Sequence, residues 1–244
     1  MEAHTIEQPK QPQQASLWED FVDIFFSPGE LFQRRANAGF GVAFLVLSAV
    51  CVILYYAFPT VSRAFAEAQI AASLAKNPER AAQVQARGGD PAAGWKFFGA
   101  FVPIGMFVAI LIMAFSTWVA SKIASVALTF KQAMTMNTWI AFIFVVQLII
   151  VSILALFKVN RGESLDVIKD RSTGVLRLMD TADTPGWLIG LLSRLDVFAI
   201  WQLILTAIAI VAITKTSKSN AYVVAGIVWL IGALPIMLAA AFGA

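Results

Sequence analysis

Charged residues are missing from long stretches of this 244-residue chain. Only 14% of its residues are Asp, Glu, Lys or Arg and 59% are hydrophobic, whereas soluble domains carry about 25% and about 45–50%. An ionised side chain at mid-bilayer costs roughly 2.5–3.5 kcal/mol on insertion scales, so charge-free runs mark the segments that hydrocarbon tolerates. Five such windows exist, at residues 36–62, 97–121, 132–157, 197–214 and 219–244, and the shortest has 18 residues. The next longest run, 184–193, has only 10. A span needs about 17–25 apolar residues, so the count predicted is five.

Other absences narrow the chemistry. The one cysteine, Cys51, lies inside the first window and excludes a disulfide within the chain. The one histidine, His4, lies in a polar N-terminal stretch, which leaves zinc and Cys/His catalysis without residues. All 15 carboxylates fall outside the windows, and no Gly-rich phosphate loop is present. The expectation is a protein that is not an enzyme and has no cofactor, metal site or nucleic-acid partner. Its +3 formal charge fits anionic headgroups instead. Residues 1–35 lack the basic, apolar and small-residue order of a cleavable signal, so the first span is expected to serve as an uncleaved one.

Pattern decides the fold class. The windows carry no polar stripe, unlike the helices of a soluble bundle, and no strict alternation, unlike barrel strands. Each must satisfy its own backbone in lipid, as a helix does. The sequence therefore predicts an all-α polytopic membrane protein, a bundle of five transmembrane helices with amphipathic interfacial helices. The spans fall at about residues 40–58, 97–120, 137–157, 197–214 and 221–242.

The segments between are less uniform. Residues 1–15 are polar, contain Pro9 and Pro12, and are predicted to be disordered. Over 16–38, Leu17, Trp18, Phe21, Val22, Phe25 and Phe26 interleave with Glu19, Asp20 and Asp23 at helical spacing, which gives an amphipathic pre-span segment. It is expected to pack on its own bundle, to lie on the membrane surface or to dock a partner. Ser27, Pro28 and Glu30 read as a second helix start with a capping box, with Leu31 and Phe32 facing the membrane and Arg34 and Arg35 the headgroups. Helical loops are predicted over 60–90, broken at Asn77 and Pro78, and over 159–195, where Thr184 and Pro185 start a short helix. Pro103 kinks or is tolerated in the second span. Gln147 and Gln202 are the polar groups singled out in spans three and four.

Orientation is nearly open by counting. With the N-terminus cytoplasmic, the inner segments hold 7 Lys/Arg and the outer loops 11. Yet Arg34, Arg35, Lys122, Lys131, Lys215 and Lys218 sit in short or span-adjacent positions, where the positive-inside rule has most force.

Three stretches carry a family likeness: LWEDFVDIFFSPGELF before the first span, TFKQAM before the third, and LSRLDVFAIWQLILTAI at the fourth. Together they resemble the Yip family, the Ypt-interacting proteins, and its bacterial branch in particular. The matching positions are Trp18, Pro28, Phe32, Phe130, Lys131, Gln132, Asp196, Phe198 and Trp201. The resemblance implies five clustered spans in a bacterial inner (cytoplasmic) membrane, with the N-terminus cytoplasmic and the C-terminus outside. The Tyr-Gly-Pro type motif of eukaryotic relatives is absent, so their link to Rab-like GTPases does not carry over.

Two functions remain open at this point. The first is a membrane-organising or interaction scaffold that uses Trp18, Phe21 and Phe25, with lipids and a membrane-protein partner or a second copy as partners. The alternative is a transporter, channel or lipid-translocating protein for an unidentified solute, motivated by Pro103, Pro235, Gln147 and Gln202. Asp196 and Trp201 read as a helix cap beside an interfacial anchor.

Overall fold

The computed structural model describes residues 16–88, 90–180 and 184–234, and all regular structure among them is helical. The polar tail 1–15, Pro235 and the remainder of the fifth window lie outside the described residues.

Helix α1 (Leu17–Phe26) opens on a capping box. The Ser16 hydroxyl accepts from the Glu19 N–H at 3.2 Å, and the Glu19 carboxylate accepts from the Ser16 N–H at 2.7 Å. After one residue α2 (Pro28–Arg35) runs back, with Pro28 at its first position as its missing N–H favours. The Ser27 side chain makes no cap bond, contrary to expectation. Its backbone is committed instead: its N–H closes α1 on the Asp23 carbonyl at 2.8 Å.

Helix α3 (Gly41–Ala57) stops at Pro59, and α4 (Pro59–Ala75) leaves it at 91°. α5 (Pro78–Arg87) starts at Asn77, whose side chain accepts from the Arg80 N–H at 3.0 Å. The longest helix, α6 (Trp95–Ile123), continues through Pro103. α7 (Phe130–Ile140) and α8 (Phe142–Asn160) are separated by Ala141 alone. A 3₁₀ turn (Val175–Leu178), α9 (Gly186–Leu192), α10 (Val197–Thr214) and α11 (Lys218–Ile231) complete the order. α9 begins just after Pro185, and Thr184 does not cap it; its hydroxyl donates to the Asp180 carbonyl.

Among the described residues three units are long and apolar enough to cross a membrane: α6, α7 with α8, and α10, or up to four if the bent α3–α4 pair counts as one. α11 is apolar over 14 described residues. Val42, Leu45 and Ile53 on α3 and Phe97, Phe101 and Ile104 on α6 are each more than half exposed. Water does not tolerate so large an apolar surface on a monomer, whereas lipid tails solvate it. The chain is thus an all-α polytopic membrane protein.

The bundle inverts the soluble pattern by keeping polar groups inside. Every residue of 133–140 on α7 is buried. Their side chains include Thr135, Asn137 and Thr138, each satisfied locally. Thr138 donates to the Met134 carbonyl at 2.8 Å, and Asn137 donates to the Ala133 carbonyl at 2.9 Å and to the Thr117 hydroxyl on α6 at 3.2 Å. The last bond ties two membrane helices where no hydrophobic force distinguishes neighbour from lipid.

Hydrogen bonds between segments far apart in sequence sort the helix ends into two groups. Lys131 at the start of α7 donates to the Asn37 carbonyl just before α3. At the other end, Tyr55 and Tyr56 near the end of α3 donate to the carbonyls of Trp95 and Lys96 at the start of α6. There too the segment between α8 and α10 folds around two buried carboxylates. Asp170 pairs with Lys158 at 2.8 Å and with Arg177 at 3.7 Å. Asp196 caps α10 through the Phe198 N–H at 2.9 Å, and its other oxygen accepts from both the N–H and the hydroxyl of Thr173 at 2.7 Å. Gly174 is required beside it, because a Cβ there would lie 2.4 Å from the Leu195 carbonyl oxygen.

Asp196 therefore fastens a strap as well as capping a helix. Asp196→Asn keeps one oxygen for the cap but turns an N–H₂ donor toward the Thr173 donors. Leaving such groups unsatisfied costs about 1–3 kcal/mol. A lowered thermal unfolding midpoint in detergent and faster proteolysis within 160–180 are expected; unchanged values of both would contradict the strap.

Candidate functional site

The motif-bearing N-terminal segment forms a helical hairpin set into the bundle. α1 spans about 15 Å at 1.5 Å per residue, half of the roughly 30 Å of hydrocarbon. It points inward: the Phe21 ring meets Phe142 edge-on at 5.7 Å, and the Phe25 ring meets Trp201 at 6.1 Å. On the return helix Gly29 passes close to Ile208 of α10, and Leu31 and Phe32 are fully buried. Leu31 and Phe32 were expected to face the membrane. They face the protein core, because α2 packs against α10 and turns this side inward.

Closing the hairpin requires an ion cluster at its mouth. Asp20 is 0% exposed. One of its oxygens accepts from Arg34 at 2.6 Å and the other from Arg35 at 2.7 Å, while Arg34 also reaches Asp23 at 2.6 Å. Both arginines, expected at the headgroups, are thus held by carboxylates while keeping part of their side chains exposed. Burial alone lowers the Arg34 pKa; hydrogen bonds to Asp23 and Asp20, with their charges, outweigh it and raise it.

The remaining sequence-selected residues fall around this hairpin or at the far end. Lys131 braces the chain just after α2 through Asn37. Phe130 sets its ring against Trp118 of α6, and Gln132 forms a capping box with Thr129. Trp201 meets Phe25, whereas Asp196 and the half-buried Phe198 belong to the strap end of α10. Trp18 is 71% exposed and stacks on Phe21, and Phe26 at the hairpin tip is 81% exposed. Between α1, α3 and the α7–α8 unit lies a groove of about 260 Å³, walled by Trp18, Phe21, Val46, Val50, Trp139 and Phe142. Gln147 lines a different, larger cleft and Gln202 does not. Among the described residues no three His, Cys, Asp or Glu converge as metal ligands.

Sequence reading missed the Asp20 cluster and the Asn137–Thr117 bond. The capping pattern at Ser16 and Glu19 was available as a signal for where the hairpin begins. The pairing of Asp20 with residues 14 and 15 positions later has no local signature.

The ion cluster gives an ordered prediction for thermal unfolding in detergent. Asp20→Ala leaves two partly exposed cations, one of them still paired with Asp23, and is expected to destabilise by about 2 kcal/mol. The Arg34→Ala/Arg35→Ala double variant strands a fully buried carboxylate, with an expected loss of about 3–5 kcal/mol. The reverse order would count against the cluster as the hairpin's closure.

Comparison with known proteins adds one finding. The Yip1 domain family matches residues 22–239, which takes in most of the hairpin and all the long apolar helices. Searches of curated proteins and of solved structures return no match. With nearly the whole sequence matched, the chain belongs to the Yip1 domain family of membrane proteins.

Proposed function

We propose that this protein is a non-enzymatic, five-span membrane-organising scaffold of a bacterial inner membrane, with its N-terminus cytoplasmic and its C-terminus outside. The observation that carries the reading is the division of labour within the hairpin. Phe21 and Phe25 direct their rings to Phe142 and Trp201 of the same chain, while Trp18 stays open at the wall of an apolar groove and Phe26 is exposed at the hairpin tip. Rigid aromatics presented next to a groove suit contact with another membrane helix. Arg34, Arg35, Lys122, Lys131, Lys215 and Lys218 all flank the ends on the hairpin's side, which supports placing that side in the cytoplasm. The buried polar groups Asn137, Thr138 and Thr135 are engaged by neighbouring backbone and Thr117, which favours a packing role for them over a solute path.

The test is in-membrane crosslinking followed by identification of the captured chains. A discrete partner or a second copy is expected from the unaltered protein, and Trp18→Ala/Phe26→Ala should reduce its yield about tenfold or more, a hot-spot-sized loss, while stability stays unchanged. An unaltered crosslink pattern in that variant would refute the hairpin as the contact. Solute-specific flux in liposomes would favour transport instead.

A further inference from the structure

The right-angle bend at Pro59 lays α4 across the bundle and roofs a cleft of about 470 Å³. That volume falls within the about 300–1,000 Å³ typical of small-molecule sites. Its walls are membrane-facing: Phe98 and Phe101 on α6 and Phe144 on α8 are all exposed, so the cleft opens sideways onto hydrocarbon. Its roof is formed by α4 residues, among them Ser62 and Phe65, and by Arg171 from the strap. The Arg171 guanidinium lies 5.3 Å from the Phe65 ring centroid and has no carboxylate within ion-pair distance among the described residues. Its neighbour Asp170 is already taken by Lys158 and Arg177. Protein atoms crowd Arg171 while its side chain stays accessible at the cleft mouth, and desolvation lowers its pKa with no anion to offset it.

A lateral apolar slot beneath an unpaired cation has the complementarity of an acidic amphiphile. We propose that this cleft binds an anionic phospholipid of the surrounding leaflet, with an acyl chain between α6 and α8 and its phosphate on Arg171. A guanidinium holds phosphate through paired N–H donors, and the sideways opening makes the bilayer, rather than water, the source. The site is at the opposite end of the bundle from the hairpin mouth and stands or falls independently of the scaffold reading.

The test uses the full chain, delipidated in detergent and titrated with phosphatidylglycerol, phosphatidylcholine or oleate, with bound lipid counted by native mass spectrometry. Phosphatidylglycerol should bind about tenfold more tightly than phosphatidylcholine, the scale of one charge-assisted contact. Arg171→Gln should erase that preference and Arg171→Lys restore part of it. Arg161→Gln, which alters an exposed cation paired with Glu163, should leave it intact. Equal binding of the two phospholipids by the unaltered protein, tighter binding of oleate, or undiminished selectivity in Arg171→Gln would each overturn the proposal. The first comparison involves no substitution and so does not depend on any variant folding.

Discussion

Everything at the hairpin end depends on keeping one carboxylate neutralised away from water. Asp20 has no solvent exposure, and an unpaired ion in such a place is expensive by several kcal/mol. Arg34 and Arg35 meet its two oxygens separately, so α1 and α2 are clamped together at the end where they enter the bundle. With the mouth fixed, the turn at Ser27 and Pro28 needs no polar side-chain cap. The deep part of the hairpin can then be almost wholly apolar: Ile24, Phe25, Leu31 and Phe32 make the contacts there.

The same economy of polar groups runs through the bundle. Lipid solvates the outward Phe, Leu and Ile side chains as well as a neighbouring helix would, so apolar burial contributes little to which helices meet. Specific contacts then fall to a few hydrogen bonds and to small residues. Asn137 joins α7 to α6, and Thr135 on the same helix donates to the Ala38 carbonyl ahead of α3. At the opposite end Asp170 and Asp196 play the part that Asp20 plays here, each a buried acid gathering a loop that would otherwise trail from the helices.

How much of this was legible follows from what each feature depends on. The apolar windows could be read because the energetic cost of a charge in hydrocarbon acts residue by residue. The stop at Pro59 and the break at Asn77 and Pro78 are local backbone effects that proline marks in the sequence. The direction faced by Leu31 and Phe32 was not, since core and lipid are equally apolar and a hydrophobic residue fits either. Ser27 and Glu30 matched a capping pattern that Ser16 and Glu19 use; the difference is that Ser27 also has to end α1, which fixes its backbone elsewhere. Asp20 with Arg34, and Arg171 over Phe65, are tertiary encounters across a turn or a loop, and no spacing rule announces them.

A hairpin clamped at its mouth and apolar beyond it enters the membrane instead of lying across its surface. The most direct measurement is the environment of Phe26, replaced by a spin-labelled cysteine in a Cys51→Ala background and reconstituted in lipid nanodiscs. Frequent collisions with oxygen and few with a water-soluble nickel chelate, the signature of hydrocarbon depth, are expected. Free access of the chelate to that position would contradict it.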